Sequence, residues 1–514
     1  MLGFRRVALF LAGVAAACGS ADDDLPLERV RSGEAEVTGR GVLVIVVDGL
    51  RWDHTSLAGY DRDTTPFLAE FARDAMVFTN AWSVSSSLVG SHVSILAGCD
   101  PSLAQPPDVR MAAAADEERP ATESPPWFVP DDLWLLGRPF LGNGFATAAF
   151  VDHPLIAELR GFDRGFRTFV EYGGEPKEEE RAIGAFGVGR RFVEWLNALP
   201  LDQDWFAYVH MNDLERAWFH GRRRPRPSVR GSDEGIDVWR ARKEYSYVPP
   251  VGLTEPLFHA LPPSRANRFK PVTLAEYELR YDVGIKGLDA SLARLISTAE
   301  DYGRADEISI VVVGSFGTGL GEHGLYLQAG LAEDVDLHVP LLVRPSRALR
   351  EQLGWSGSQE RRSDALVSLV DVAPTVVDLA AIPSRRAGHG VSLRPLLAGG
   401  DREVRRRVFS RSAVLPGFAV IDADGVRAAY DPSRAAASVA RSWSRGRADD
   451  SGVEGDPDVA ALWRRWDELM ERERRALHFG LGSSDSSLEE VRTLQGTDDP
   501  SDEIPTKDAP GGAD

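Results

Sequence analysis

The stretch "VLVIVVD", residues 42–48, decides the fold class of this chain. Its aliphatic run leaves no polar face, and such continuous hydrophobicity is typical of a strand in a parallel sheet that helices cover on both sides. Similar strand patterns recur at 145–151, 205–211, 308–313 and 339–344, with helical patterns at 65–75, 274–300 and 364–382. This alternation predicts a doubly wound α/β domain with a mostly parallel central sheet.

Composition along the chain predicts the domain organisation. We expect an α/β domain over 41–398, a small C-terminal α+β subdomain over 399–495 and an acidic, disordered tail over 496–514. Two proline-bearing segments, 101–130 and 216–272, read as surface loops inserted into the α/β domain. Short antiparallel strands from 408 to 431 and a helix over 457–477 are the elements predicted for the subdomain.

The chain start predicts export and a lipid anchor. Residues 1–18 combine Arg5 and Arg6, a short apolar run and the stretch "VAAACGS", and 19–40 form a polar linker. The stretch is similar to a bacterial lipobox, which implies that Cys18 is lipidated; simple secretion or a retained anchor are the alternatives, because Ala15 stands where leucine is usual. We expect a protein of the bacterial cell envelope, and release of a Cys18→Ala variant from membranes would test the anchor.

Charge and cysteine content limit the partners. The formal charge of −19, from 78 acidic and 59 basic residues, argues against a nucleic acid. The arginine-rich segment 220–230 reads as a solvated loop, with an anionic or protein partner as the alternative. Two cysteines make no disulfide framework, and Cys99 is expected to be a small buried residue.

The segment "VIVVDGLRWDHTSLAGYDRDTTPFLAEFARDAMVFTNAWS", residues 44–83, resembles the N-terminal signature of the sulfatase branch of the alkaline phosphatase superfamily. Further segments continue the likeness in order, at 144–169, 208–215, 311–324 and 366–382. The resemblance implies a three-layer α/β sandwich. It also implies a hydroxyl-type nucleophile that attacks a sulfate or phosphate ester beside a divalent metal, which Asp48 helps to bind.

The nucleophile motif of this family falls on "LVGSHVSILAG", residues 88–98. Ser91 and His92 match it, but Gly90 replaces a proline and Leu88 stands at the nucleophile. Leucine has no nucleophilic group. The neighbouring serines 85–87 either cap the following helix or supply a displaced nucleophile.

The resemblance places further substitutions at the expected metal site. Ser315 and Phe316 replace two metal ligands, Gln328 and Glu215 each replace a histidine, and Thr318 replaces an acid. Of the expected chemical groups, the carboxylate of Asp48 and the imidazole of His92 remain. One carboxylate and one imidazole do not make a divalent site, so no cofactor is expected.

Other polar residues near these motifs have ordinary structural roles as the first expectation. These residues are Asp53, His54, Glu322 and His323. His210 and Asp213 lie at the end of the predicted strand 205–211 and are candidates for ligand contact.

Three hypotheses follow. The first is an envelope pseudoenzyme that acts by binding. The second is an active hydrolase that uses a serine at 85–87 with Asp48, His92, His210, Asp213 and Ca²⁺, Mg²⁺, Mn²⁺ or Zn²⁺. The third is a role in partner binding through 220–230.

Overall fold

A computed structural model of the protein describes its central part. The described residues are 40–104, 129–171, 185–214, 247–248, 272–301, 307–320, 326–328, 332–383, 388–400, 403–412, 418–422, 426–431, 436–441, 457–478 and 485–497. The predicted signal peptide with Cys18, the linker up to residue 39, the segment 220–230 and the tail from 498 onward lie outside them. Within the described part, no helix is both long enough and apolar enough to cross a membrane.

The strands are numbered in chain order. They are β1 (Gly41–Asp48), β2 (Met76–Phe78), β3 (Ala81–Trp82), β4 (Ala146–Val151), β5 (Thr168–Glu171), β6 (Trp205–Met211), β7 (Tyr247–Val248), β8 (Val272–Thr273), β9 (Ile308–Phe316), β10 (Gly319–Leu320), β11 (Tyr326–Gln328), β12 (Leu341–Arg344), β13 (Arg361–Ser363), β14 (Val367–Ser368), β15 (Arg407–Arg411), β16 (Phe418–Asp422), β17 (Val426–Asp431) and β18 (Ala436–Arg441).

The α-helices follow the same convention, and short 3₁₀ helices lie between them. The α-helices are α1 (Pro66–Phe71), α2 (Leu88–Ala97), α3 (Gly137–Gly142), α4 (Ala185–Ala198), α5 (Leu274–Ala299), α6 (Asp334–Leu337), α7 (Arg347–Gln352), α8 (Val372–Leu379), α9 (Arg394–Leu397), α10 (Pro457–His478) and α11 (Asp485–Gln495).

The central sheet has the strand order β13-β2-β12-β9-β1-β6-β4-β5. Strand β1 pairs in parallel with β6 on one side and with β9 on the other. Strands β4 and β5 extend the parallel arrangement, whereas β12 is antiparallel to both of its neighbours. The expected α/β fold with a mostly parallel sheet is therefore confirmed.

Both faces of β1 are covered, which explains its unbroken hydrophobic run. Val42, Val44 and Val46 belong to one hydrophobic cluster, and the alternate residues of the strand belong to the cluster on the opposite face. Successive side chains of a strand point to opposite faces, so a strand buried on both sides must be apolar at every position. The run ends at Asp48, which is where the sheet reaches its polar edge.

Strands β15 to β18 form a separate antiparallel sheet of four strands. Helix α10 packs on it through stacked aromatic rings: the centroids of Trp466 and Phe409 are 4.4 Å apart, and those of Trp463 and Phe418 are 4.0 Å apart. Antiparallel strands and the helix near 457–477 were expected here. The domain boundaries themselves stay a prediction.

Two local expectations were wrong. Residues 101–104, assigned to a surface loop, form a buried 3₁₀ helix. The helix expected over 364–382 is shorter, because Val367 and Ser368 pair with β3 as strand β14 and Leu369–Asp371 form a 3₁₀ helix, so that α8 begins only at Val372. The N–H of Ser368 donates to the Asp371 carboxylate at 2.8 Å and thereby caps the 3₁₀ helix that precedes α8.

Candidate functional site

Three neighbouring strands end together at the carboxyl edge of the central sheet. In the register of the sheet, Val46 of β1 lies beside His210 of β6, and Asp48 lies beside Phe316 of β9. Helix α2 contributes His92 to this edge, where a ring nitrogen of His92 lies within hydrogen-bond distance of the Asp48 carboxylate. The carboxyl edge of an open α/β sheet is the usual place for a ligand site, so the arrangement marks the candidate functional site.

A β-bulge directs Ser315 into this site. Val47 pairs with Gly314 and Asp48 pairs with Phe316, so Ser315 is the extra residue of β9 at this register shift. An extra residue in one strand re-aims the side chains around it. The Ser315 hydroxyl donates a hydrogen bond to Oδ1 of Asp48 and lies 3.3 Å from the carbonyl oxygen of Val47.

Two imidazole rings complete the surroundings of the Asp48 carboxylate. Nε2 of His92 lies 3.0 Å from Oδ1 of Asp48, and Nε2 of His210 lies 2.6 Å from Oδ2. The two rings contact each other edge to face, with centroids 4.4 Å apart. The side chains of all three residues are fully buried. We call Asp48, His92 and His210 the Asp48 cluster.

Each outer ring nitrogen of the cluster also has a partner. Nδ1 of His92 lies 2.6 Å from the hydroxyl of Tyr208. Nδ1 of His210 accepts a hydrogen bond from the backbone N–H of Asp152 at 3.2 Å. The buried imidazoles are therefore held in position at both nitrogens.

Burial and neighbouring groups set the charges in the cluster. Burial by itself raises the pKa of Asp48, but His210 and His92 outweigh it and hold that pKa well below its usual range. Burial lowers the pKa of His92, and the adjacent His210 lowers it further. Burial, with the Asp48 charge, raises the pKa of Tyr208 well above its usual value. Asp48 is therefore a carboxylate, and Tyr208 is a phenol.

The sequence-based count of one carboxylate and one imidazole was wrong. One possible ligand atom from each of Asp48, His92 and His210 lies within 4.8 Å of the others. His210 adds the second imidazole because β6 runs parallel to β1 and ends beside it. The cluster thus has three possible ligand side chains, which is the number of protein ligands in a catalytic zinc site.

Residues 83–87, which we call the serine loop, lead into helix α2, and the hydroxyl of Ser87 caps the helix. Oγ of Ser87 accepts the backbone N–H of Gly90 at 3.0 Å and lies 2.9 Å from Oγ of Ser85. Oγ of Ser91 donates to the carbonyl oxygens of Ser85 and Ser87, each at 2.8 Å. The expectation that a serine in this turn caps the helix is confirmed. Leu88, the first residue of the helix, packs against the hydrophobic cluster that contains Val42 and Val44.

Gly90 makes this arrangement possible. A Cβ atom at position 90 would lie 2.5 Å from Oγ of Ser85 and 2.6 Å from Oγ of Ser87. A proline there, as the family resemblance expects, would also remove the N–H that Ser87 caps. The glycine and the paired serines therefore belong to one local structure, which differs from a proline-bearing nucleophile turn.

Strand β15 braces the serine loop from the side of the C-terminal sheet. The N–H of Ser86 donates to the carbonyl of Arg411 at 3.1 Å, and the N–H of Arg411 donates to the carbonyl of Val84 at 3.0 Å. The hydroxyl of Ser410 donates to the carbonyl of Ser83. The loop is thus fixed by backbone pairing, as in a short parallel bridge.

The remaining predicted site residues are not part of the Asp48 cluster. The Asp213 carboxylate accepts the N–H of Ala185 at the start of α4. Phe316 is buried, and Thr318 accepts a hydrogen bond from Arg51 at its backbone oxygen. Gln328 pairs with Gly319 across β10 and β11. Glu215, Glu322 and His323 lie outside the described residues.

Residues with expected structural roles have structural partners. Asp53 pairs with Arg51 at 2.7 Å, and Nδ1 of His54 lies 2.9 Å from the Asp282 carboxylate. Cys99 is buried, as expected, and burial raises the pKa of its thiol.

Sequence reasoning missed Tyr208 and Asp152. Tyr208 precedes His210 by two residues in β6, so strand periodicity places both side chains on one face. Asp152 directly follows β4, just as Asp48 stands at the end of the apolar run of β1. Both signals were present in the sequence.

Comparison with known proteins shows the family and the fold of the chain. A family model described as Sulfatase matches residues 40–118 and 188–382. Arylsulfatase K of Gallus gallus is 34% identical over 131 residues, which cover 25% of this chain and 23% of the relative, so the match spans less than a quarter of that protein. The structure of a 2-O GAG sulfatase matches with a TM-score of 0.58 at 15% identity and covers 86% of this chain and 93% of that one. The phosphonate monoester hydrolase of Silicibacter pomeroyi matches with a TM-score of 0.56 at 18% identity, over 85% and 95% of the two chains.

Proposed function

The chain belongs to the sulfatase family, whose model matches more than half of its residues, and from this premise we propose that it is a catalytically degenerate member that acts by binding. Its fold and the carboxyl edge of its sheet are those of a family of ester hydrolases. What differs is the chemistry available at that edge.

The observation that carries the proposal is the start of helix α2. Attack on a sulfate or phosphate ester needs an activated hydroxyl or an equivalent group. At this position the half-buried Leu88 packs against the apolar core, and the hydroxyls of Ser85 and Ser87 hydrogen-bond to each other while Ser87 caps the helix. Loss of the nucleophile alone lowers turnover by about 10⁶ in a well-characterised serine hydrolase.

The environment of Asp48 adds support. Its carboxylate accepts hydrogen bonds from Ser315 and lies within hydrogen-bond distance of both imidazoles of the cluster. These contacts stabilise the buried negative charge of Asp48 without a cation. The proposed function therefore assigns no reaction step to a metal.

A direct assay tests the proposal. The full chain, equilibrated in turn with Ca²⁺, Mg²⁺, Mn²⁺ and Zn²⁺, is mixed with aryl sulfate, aryl phosphate and aryl phosphonate esters. We expect no hydrolysis above the rate of an Asp48→Ala variant. Turnover that disappears in Asp48→Ala would contradict the proposal, and turnover that disappears in Ser87→Ala would favour an active hydrolase with a displaced serine nucleophile.

We place this function in the bacterial cell envelope, with the protein anchored through a lipid at Cys18. The support is the sequence of residues 1–18 alone. Binding to an anionic or protein partner through residues 220–230 belongs to the same proposal.

A further inference from the structure

The geometry points to a structural role for the Asp48 cluster without a cation: every ring nitrogen of His92 and His210 is committed to a hydrogen bond, and these bonds join the strand ends. The inference rests on the proposed function, since a site released from hydrolysis is free to lose its metal. The two can still fail separately, because a cation can bind at an inactive site.

The inner ring nitrogens of the cluster face the Asp48 carboxylate. The Asp48 carboxylate only accepts hydrogen bonds. Nε2 of His92 and Nε2 of His210 lie at hydrogen-bond distance from its two oxygens, so each must carry the proton of its bond. Neither Nε2 atom then has a lone pair for a metal.

The outer ring nitrogens of the cluster face Asp152 and Tyr208. The backbone N–H of Asp152 donates to Nδ1 of His210, so this nitrogen is the acceptor of a neutral ring. Nδ1 of His92 lies 2.6 Å from the Tyr208 hydroxyl, which can donate to it in the same way because Nε2 of His92 already holds a ring proton. Hydrogen bonds therefore run from Asp152 through His210, and from Tyr208 through His92, to the Asp48 carboxylate.

A metal does not fit this arrangement at His210. A histidine that binds a metal through one nitrogen normally donates the N–H of the other to a carboxylate, a carbonyl or water. For Nε2 of His210 to coordinate, Nδ1 would have to carry a proton that faces the N–H of Asp152 at 3.2 Å. Two donors would then oppose each other in a fully buried position, at the cost of both hydrogen bonds.

A hard cation fits no better. Calcium takes six to eight oxygen ligands in proteins. Among the described residues, the cluster offers oxygens from one carboxylate, which already accepts hydrogen bonds from Ser315 and both histidines. Ser315 thus donates a hydrogen bond to Asp48 at the position where the family resemblance expects a metal ligand.

The hydrogen bonds of the cluster connect elements that are distant in the sequence. Asp48 ends β1, His210 lies in β6, Ser315 lies in β9 and His92 lies in α2. The Asp48 carboxylate accepts hydrogen bonds from Ser315, His92 and His210. These three bonds fix the three strand ends and the helix relative to one another. In a metal site a central cation would hold these elements together. Here the hydrogen bonds from His92, His210 and Ser315 to Asp48 have that structural role.

Nitrogen NMR of the histidine rings tests the inference. The full chain is labelled with ¹⁵N histidine, and His92→Gln and His210→Gln variants assign the two rings. We expect neutral rings protonated at Nε2 for both residues, with spectra that do not change when Zn²⁺ is added. A His210 ring protonated at Nδ1, with Nε2 shifted by Zn²⁺, would overturn the inference.

Thermal unfolding gives an independent measurement on the same sample. A cation that binds only the folded protein raises its melting temperature as the concentration rises. We expect the same melting temperature in EDTA and in saturating Ca²⁺, Mg²⁺, Mn²⁺ or Zn²⁺. A rise with one cation that is absent in His210→Gln would contradict the inference, and ester hydrolysis without such a rise would contradict the proposed function alone.

Discussion

Replacement of Asp48 by alanine is expected to destabilise the protein by at least about 3 kcal/mol, because each buried donor left without an acceptor costs about 1–3 kcal/mol. Three donors lose their acceptor together: the hydroxyl of Ser315 and the Nε2–H groups of His92 and His210. Water cannot compensate readily, since the side chains of Asp48 and both histidines are fully buried. Denaturant unfolding of the full chain measures the loss.

A surface carboxylate provides the control for this experiment. Glu360 pairs with Arg362, and both side chains are more than 40% exposed. Glu360→Ala should therefore change the free energy of unfolding by about 1 kcal/mol or less. Equal stabilities of Asp48→Ala and Glu360→Ala would show that the cluster does not hold the strand ends.

Replacement of Arg405 by leucine is the second change with a large expected effect. Arg405 and Asp371 form a fully buried ion pair, in which the guanidinium donates to both carboxylate oxygens. Asp371 also accepts the backbone N–H groups of Ser368 and Val391. Removal of one partner of a buried pair costs about 3–5 kcal/mol, because the other charge stays buried and uncompensated.

The neighbouring arginine gives a matched control. The side chain of Arg406 is 67% exposed and pairs with Glu403. Arg406→Leu should cost about 1 kcal/mol or less. Adding Asp371→Asn to Arg405→Leu should recover part of the stability, since the unpaired charge disappears while one acceptor oxygen remains. A loss for Arg405→Leu no larger than that for Arg406→Leu would contradict the assignment of a stabilising buried pair.

Much of the fold could be predicted from the sequence because β1, β6 and β9 are buried on both faces. Their continuous apolar runs indicated parallel strands under helices, and the structure places them side by side. Short elements were harder to predict. The start of α8 depends on the pairing of β14 with β3 and on the 3₁₀ helix that follows β14, and the burial of residues 101–104 depends on packing against α10, far away in the sequence.

The candidate site could be predicted only in part, for a physical reason. Asp48 and His92 stand in recognisable motifs, whereas the contribution of His210 depends on the pairing of β6 with β1. The contact of Ser315 with Asp48 depends on a bulge at the end of β9. The backbone N–H of Asp152 sets the direction of the hydrogen bonds through His210, and a backbone donor of this kind cannot be recognised from a side-chain motif.

The metal content of the full chain tests the central claim most directly. Wild type and Asp48→Ala are dialysed against Ca²⁺, Mg²⁺, Mn²⁺ and Zn²⁺ in turn, and the bound metal is measured by mass spectrometry. A cluster committed to hydrogen bonds predicts no stoichiometric metal in either protein. One ion per chain in the wild type, lost in Asp48→Ala, would contradict the account.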